Sequence, residues 1–213
     1  DFEGNWLGEP EKYAQELRFN FNTVNWNFKK AHSNILPANT IYLDLKPDTN
    51  AILARMKPKT RYNIQLSLRK GIHVRAAGME SLPVWYALYR ETALRNNILL
   101  NDIKYFEAIL TSKADNSNSL AEVQLLIAEL DDMPLAAMFL IITGNRGSYL
   151  YGASSGTFRN YMATYALQWE AIKLSKEKGC TEYDMFGISP NPDESHPLYG
   201  LYKFKSGFGG DIF

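Results

Sequence analysis

The run Leu135-Ala136-Ala137-Met138-Phe139-Leu140-Ile141-Ile142 is apolar at every position, and the segments on both sides of it also read as strands. Ala121–Leu130 precedes it across Asp131-Asp132-Met133-Pro134, and Ser148–Ala153 follows it across Asn145-Arg146-Gly147. Both connections are rich in turn formers and too short for a crossover. The three strands therefore form an antiparallel meander whose middle member is buried on both faces. Helices on the flanking segments would give a layered architecture of mixed helix and sheet.

The flanking segments supply those helices. Thr40–Leu45 alternates as a strand between Pro37 and Pro47, and Asp48 is placed to cap a helix from Thr49 to Met56. Thr60 is read as the cap of a second helix, Arg61–Lys70, with Ile64 and Leu68 on one face and Gly71 as its stop. Ile72–Ala76 reads as a short strand. Ser81-Leu82-Pro83 opens a helix with Trp85, Leu88, Tyr89 and Thr92 on one stripe, and Asp102 opens another with Tyr105, Phe106, Ile109 and Leu110. Lys113–Ser119 is polar and reads as a loop. Beyond the meander, Tyr161–Lys178 carries Tyr165, Ala166, Trp169 and Ile172 on one face and ends at Gly179; Glu182–Ile188 is the next strand. In the first 34 residues only Glu9-Pro10-Glu11 suggests a helix, through Tyr13, Leu17 and Phe21.

Composition excludes several classes. With 46% hydrophobic and 22% charged residues in 213, the chain can bury a large core. Lys plus Arg and Asp plus Glu are 23 each, so no overall charge steers it to nucleic acid or membrane, and any such partner must meet a local patch. One such patch stands out. Thr49–Met79 contains Arg55, Lys57, Lys59, Arg61, Arg69, Lys70 and Arg75 and no acidic residue, as a solvated face or a phosphate-facing surface would. Cys180 is alone, which excludes an internal disulfide and fits a reducing compartment. His32, His73 and His196 lack ligand spacing, so no metal is expected. No apolar run is long enough to cross a bilayer and no signal peptide is visible, so a cytoplasmic location is expected. A chain starting at Asp1 reads as a piece of a longer polypeptide.

The closing stretch, Pro197 to Asp211, combines aromatics at 199, 202, 204 and 208, lysines at 203 and 205, and glycines at 200, 207, 209 and 210. Glycines there permit positive φ or close approach to a ligand, and lysines among aromatics can be held over one. Docking of the chain end on a sheet edge is the plainer reading of the same residues.

Two helices, three antiparallel strands, a helix, a strand and a closing segment follow the order of the GNAT acyltransferase fold. Coenzyme A enzymes of that fold carry a glycine-rich pyrophosphate loop before the long helix. Here that place reads Ser155-Gly156-Thr157-Phe158-Arg159-Asn160-Tyr161-Met162, and one glycine is not a pyrophosphate cradle.

Several stretches, in order and spacing, resemble the Fem family of peptidoglycan-bridge aminoacyltransferases: Leu36–Leu45, Met56–Ile64, Tyr151–Ser155, Gln168–Ile172, Tyr183–Ile188 and Tyr202–Gly210. The resemblance implies an α/β (α+β) chain with tandem GNAT-like domains, the first incomplete: residues 1–76 the remainder of the first, with the basic helix, and 77–213 the second. It implies transfer of an amino acid from aminoacyl-tRNA to an amine of the stem peptide of UDP-MurNAc-pentapeptide or lipid II, without cofactor, at or near the inner face of the membrane. The closing Phe-Lys pair places Phe204 and Lys205 at the reacting centre, with Lys205 facing the developing oxyanion and Phe204 positioning the ester or the lysine. Lys203, two residues away, is read as a surface residue. Tyr105, Tyr151 and Arg159 become candidates for precursor contact, and Lys59 and Arg61 for precursor phosphates or the tRNA backbone. Asn101 stands where some members have an arginine, which puts one phosphate contact in doubt. Asp184 could orient an amine, although a structural role fits it as well. A GNAT-fold enzyme using another acyl donor and a non-catalytic binding module are the competing readings.

Overall fold

A computed structural model describes residues 39–111, 121–189, 193–196 and 198–213, all belonging to one compact unit. The segments read as a helix near Tyr13 and as a loop at Lys113–Ser119 lie outside the described residues.

Seven strands form one sheet: β1 Ile41–Asp44, β2 His73–Ala77, β3 Glu122–Leu130, β4 Met133–Thr143, β5 Arg146–Ser154, β6 Glu182–Asp184 and β7 Asp211–Ile212. Their spatial order is β2-β3-β4-β5-β6-β1-β7, antiparallel throughout except for β5 with β6. The meander is as expected. Asp131 and Asp132 have φ of 48° and 62°, the positive pair that a two-residue type I′ turn requires. Pro134 belongs to β4 rather than to the turn. It pairs with Glu129 at a register shift, where its missing N–H is tolerated.

Helices cover both faces. On one side α1 Thr49–Arg55, α2 Pro58–Arg69 and α5 Ala163–Glu177 enclose a core that includes Ile52, Ile64, Leu126, Met138, Leu140, Trp169 and Ile172. On the other, α3 Leu82–Asn96 and α4 Ile103–Thr111 enclose Trp85, Leu88, Tyr89, Phe106, Phe139 and Ile127. Trp85 stacks on Tyr89 and meets Phe106 and Phe139 edge-on, so the aromatic stripe read from α3 is the core of that layer. The short helix α6 Tyr199–Lys205 and a 3-10 turn, Ser206–Phe208, lead into β7.

Three expectations need correction. The second helix starts at Pro58, in the first turn where proline is tolerated, and Lys57, not Thr60, is its N-cap. Its buried stripe is Thr60, Asn63, Ile64 and Ser67, leaving Leu68 52% exposed. Small polar residues let α2 lie close to α5, with Ser67 Oγ returning its proton to Ile64 O and Ser175 Oγ to Ala171 O. A stripe of that kind is invisible to hydrophobic periodicity. The last strand stops at Asp184 because Phe186 has φ +60° and turns the chain out of the sheet. Within the sheet, β2 spans residues 73–77, and β1 is held between β6 and β7. The basic helices bridge β1 and β2 over one face of the same sheet.

The closing glycines serve this docking. A Cβ on Gly207 would sit 2.3 Å from Thr60 Oγ1, and one on Gly210 (φ +91°) 2.4 Å from Tyr42 O. Lys57 N donates to Gly207 O at 2.9 Å, tying the motif to the start of α2. Gly179 has a similar φ, +88°, but open space around it. Gly210→Ala should therefore destabilise by about 3 kcal/mol and Gly179→Ala by about 1 kcal/mol, a contrast that urea denaturation of the two variants measures.

Candidate active site

β5 and β6 pair in parallel only at Arg146↔Glu182, Gly147↔Tyr183 and Ser148↔Asp184. Beyond that point β5 continues to Ser154 against β4 alone, while the other chain bends toward β1: Met185 N donates to Ile41 O, and Ile188 bridges Asn39. Parallel strands that part at their carboxyl ends open a crevice, the usual place for a ligand in such sheets. The closing motif sends Lys205 into it.

Lys205 is 4% exposed. Its ammonium donates to Gly187 O at 2.9 Å and Phe186 O at 3.2 Å and lies 5.2 Å from the centroid of the Tyr149 ring. The left-handed turn at Phe186 is what offers two successive carbonyls to one amine. It is held by Asp184, whose Oδ1 accepts from Phe186 N at 2.8 Å and from the Thr40 hydroxyl. Burial lowers the Lys205 pKa to about 8, and the Asp184 charge partly offsets this. A lysine in that condition is charged at neutral pH and sheds its proton within reach of physiological conditions.

A β-bulge decides which tyrosines face this lysine. Phe139 pairs with Tyr151 and Leu140 with Tyr149, so Leu150 is the extra residue and the side-chain alternation of β5 slips by one. Tyr149 consequently joins the core under α2 and α5, whereas Tyr151 joins that under α3 and α4. Tyr149 lies against Gly152, where an added Cβ would be 1.8 Å from its hydroxyl, and it hydrogen-bonds Gln168. Gln168 Oε1 also accepts from Tyr183 at 2.8 Å. Burial pushes the Tyr149 phenol up to about 12, so it stays neutral beside the ammonium.

The residues expected at the site fall into three groups. Lys205 and Phe204 are together by sequence but face apart: Phe204 packs edge-on against Tyr165 and Phe208, at 5.0 and 5.2 Å between centroids. Tyr105 and Tyr151 meet on the α3–α4 side with their hydroxyls 2.8 Å apart, and burial followed by that hydrogen bond raises the Tyr151 pKa. The last group lies on the surface of the α2 side. Arg61 donates to Ala54 O at 3.1 Å and to Met56 O, closing the end of α1; Lys59 lies 5.1 Å from the centre of the Tyr62 ring; Arg159 is exposed in the turn before α5. Lys203 is exposed, as expected, over the Tyr199 ring.

Sequence reasoning did not find Tyr149, Gln168 or the Phe186–Gly187 carbonyls. The dipeptide Phe186-Gly187 after an aspartate is a weak turn signal, and nothing local marks the bulge.

The family model described as the FemAB family matches residues 15–118 and 111–213. This chain belongs to the FemAB family. Lipid II:glycine glycyltransferase of Staphylococcus saprophyticus is 25% identical over 232 residues, covering 82% of this chain and 56% of its own length. The chain thus spans little more than half of that relative. A crystal structure of FemX superposes with a TM-score of 0.78 at 21% identity, over 94% of this chain and 65% of that one. The GCN5-related glucosamine N-acetyltransferase region of a fungal multi-domain GH3 β-N-acetylglucosaminidase gives 0.51 at 12% identity, over 97% of this chain and 22% of that one. The sheet of this FemAB-family chain is accordingly GNAT-like.

Two measurements test the site of this FemAB-family chain. The folded-state pKa of Lys205 lies below the unfolded value, so the unfolded chain binds more protons between pH 8 and 10.5, and stability rises across that window. Relative to Lys205→Met, the parent should gain on the order of 2 kcal/mol between pH 7 and pH 10 in urea titrations. For the tyrosine pair, a double-mutant cycle of Tyr105→Phe and Tyr151→Phe should return a coupling of about 1 kcal/mol in the same assay.

Proposed function

We propose that the complete polypeptide containing this chain transfers an amino acid from aminoacyl-tRNA to an amine of the stem peptide of a lipid-linked peptidoglycan precursor. The observation that carries this reading is the buried Lys205 ammonium at the parting of β5 and β6. The name of the staphylococcal relative, a lipid II:glycine glycyltransferase, supports lipid II as the acceptor.

An aminoacyl ester is already activated. The acceptor amine attacks its carbonyl carbon, the C–N bond forms, and negative charge collects on the carbonyl oxygen. The ester C–O bond then breaks, and the proton lost by nitrogen leaves with the ribose hydroxyl. What the protein supplies is placement and charge. Two protons of Lys205 are committed to backbone carbonyls, which fix the ammonium, and the remaining one is available to the oxyanion. Desolvation makes that charge more effective than it would be in water. Phe204, packed edge-on against Tyr165 and the buried Phe208, fixes the helix that carries Lys205. Tyr105 and Tyr151 present a paired hydroxyl edge to the precursor from the α3–α4 side.

Coenzyme A as the acyl source is disfavoured at the loop before α5. The N–H of Gly156 and the hydroxyl of Ser155 both donate to Glu91 Oε1, so a carboxylate stands where a pyrophosphate would have to be held.

The test is transfer of labelled amino acid from a mixed aminoacyl-tRNA pool to lipid II and to UDP-MurNAc-pentapeptide by the complete polypeptide. Transfer should occur and should fall at least about a hundredfold in Lys205→Ala, the usual cost of removing an oxyanion donor. The parent-to-variant ratio should decline as pH rises through 8, because only the protonated lysine neutralises the oxyanion. Absence of transfer to either acceptor by folded protein would reject the reading.

A further inference from the structure

We infer that the exposed face of α2, continued by the turn before α5, is the surface that docks the RNA body of the aminoacyl donor. The inference rests on the donor being aminoacyl-tRNA.

Lys57, Lys59 and Arg69 are exposed along α2, Lys70 follows at its end, and Arg159 is exposed in the neighbouring turn. Lys70 joins the two pieces, its ammonium donating to Asn160 O at 2.9 Å and lying 4.5 Å from the centre of the Tyr161 ring. Among the described residues none of these five cations has a carboxylate partner; the ion pairs lie at Asp44, Glu129, Glu182, Glu170 and Glu122. Evenly solvated helix faces normally mix signs, and an unbalanced stripe in a chain of zero net charge selects a polyanion.

Two aromatic rings are exposed along the same stripe, Tyr62 at 49% and Phe158 at 46%. Cations interleaved with partly exposed rings suit a nucleic-acid strand, whose phosphates and bases alternate in the same way. A bilayer surface would find positive charge here but little apolar depth. From Lys59 to Arg69 the helix rises about 15 Å, enough to meet several successive phosphates.

The connection determines what such docking would achieve. Lys57, at the N-cap of α2, donates from its backbone to Gly207 O at 2.9 Å and from its ammonium to Ser206 Oγ at 3.2 Å. Thr60, one turn on, lies against Gly207. The stripe therefore begins at the segment that carries Lys205, and RNA lying along it has an end beside the crevice. Arg61 is not part of it, since its guanidinium is engaged with the carbonyls closing α1.

The test is binding of purified unacylated tRNA to the complete polypeptide by fluorescence anisotropy across a salt series, together with KM for aminoacyl-tRNA in the transfer assay. The parent should bind with a steep salt dependence. Lys59→Glu with Arg69→Glu should weaken binding at least about tenfold, flatten the slope of log K against log salt by about 1 to 2, and raise KM for the donor. Tyr62→Ala should weaken binding several-fold without changing the slope, as loss of an uncharged stacking face does. Arg90→Glu, on the opposite face of the sheet, should bind as the parent does. Unchanged tRNA binding and donor KM in the double reversal would overturn the inference, as would loss of binding to phosphatidylglycerol vesicles with tRNA binding intact, which would assign the stripe to a membrane. A parent that binds tRNA through this stripe yet transfers nothing would instead remove the catalytic reading and leave the surface standing.

Discussion

The separation of β5 from β6 after a single short ladder is the constraint on which the rest depends. Two adjacent strands that stop pairing expose backbone groups inside a sheet, and each must find another partner or remain unsatisfied. Here one side is answered by the turn at Phe186, which swings the chain toward β1, and the carbonyls it frees are answered by Lys205. The lysine thus fills a structural need and, by the same contacts, is held rigidly at the place where the sheet is open. Its burial lowers its proton affinity, so stability is given up to keep a charge there.

That arrangement explains why the closing segment is so dense in glycine and aromatic residues. To bring Lys205 into the crevice, the chain must pass between the start of α2 and β1 and still end as an edge strand. Gly207 allows contact with Thr60, Gly209 and Gly210 take positive φ against Arg55 and Tyr42, and Phe208 is buried to anchor the passage. Replacing these glycines would shift the segment that carries the lysine.

The two faces of the sheet divide the labour. One carries the lysine, the Phe204 packing cluster and the basic helix; the other carries the Tyr105–Tyr151 pair in an aromatic layer. The bulge in β5 lets that strand present Tyr149 to one face and Tyr151 to the other.

The strongly periodic or strongly bounded pieces were legible in the sequence alone. The apolar run of β4 with turns on both sides required a two-faced meander, the stripe of α3 required an aromatic layer, and Asp48 and Gly179 marked helix ends, because each rests on contacts a few residues apart. The closing motif announced itself by composition, whereas Lys205 was singled out within it only by the resemblance to the Fem family. Tertiary structure alone decided the rest. A bulge shifts side-chain alternation without changing a single residue, so the sequence could not assign Tyr149 to the lysine and Tyr151 to the other face. A small-residue helix contact leaves no hydrophobic period, so α2 was read with the wrong buried stripe. Finally, which carbonyls receive the Lys205 ammonium depends on a turn more than fifteen residues away, a relation that no local pattern encodes.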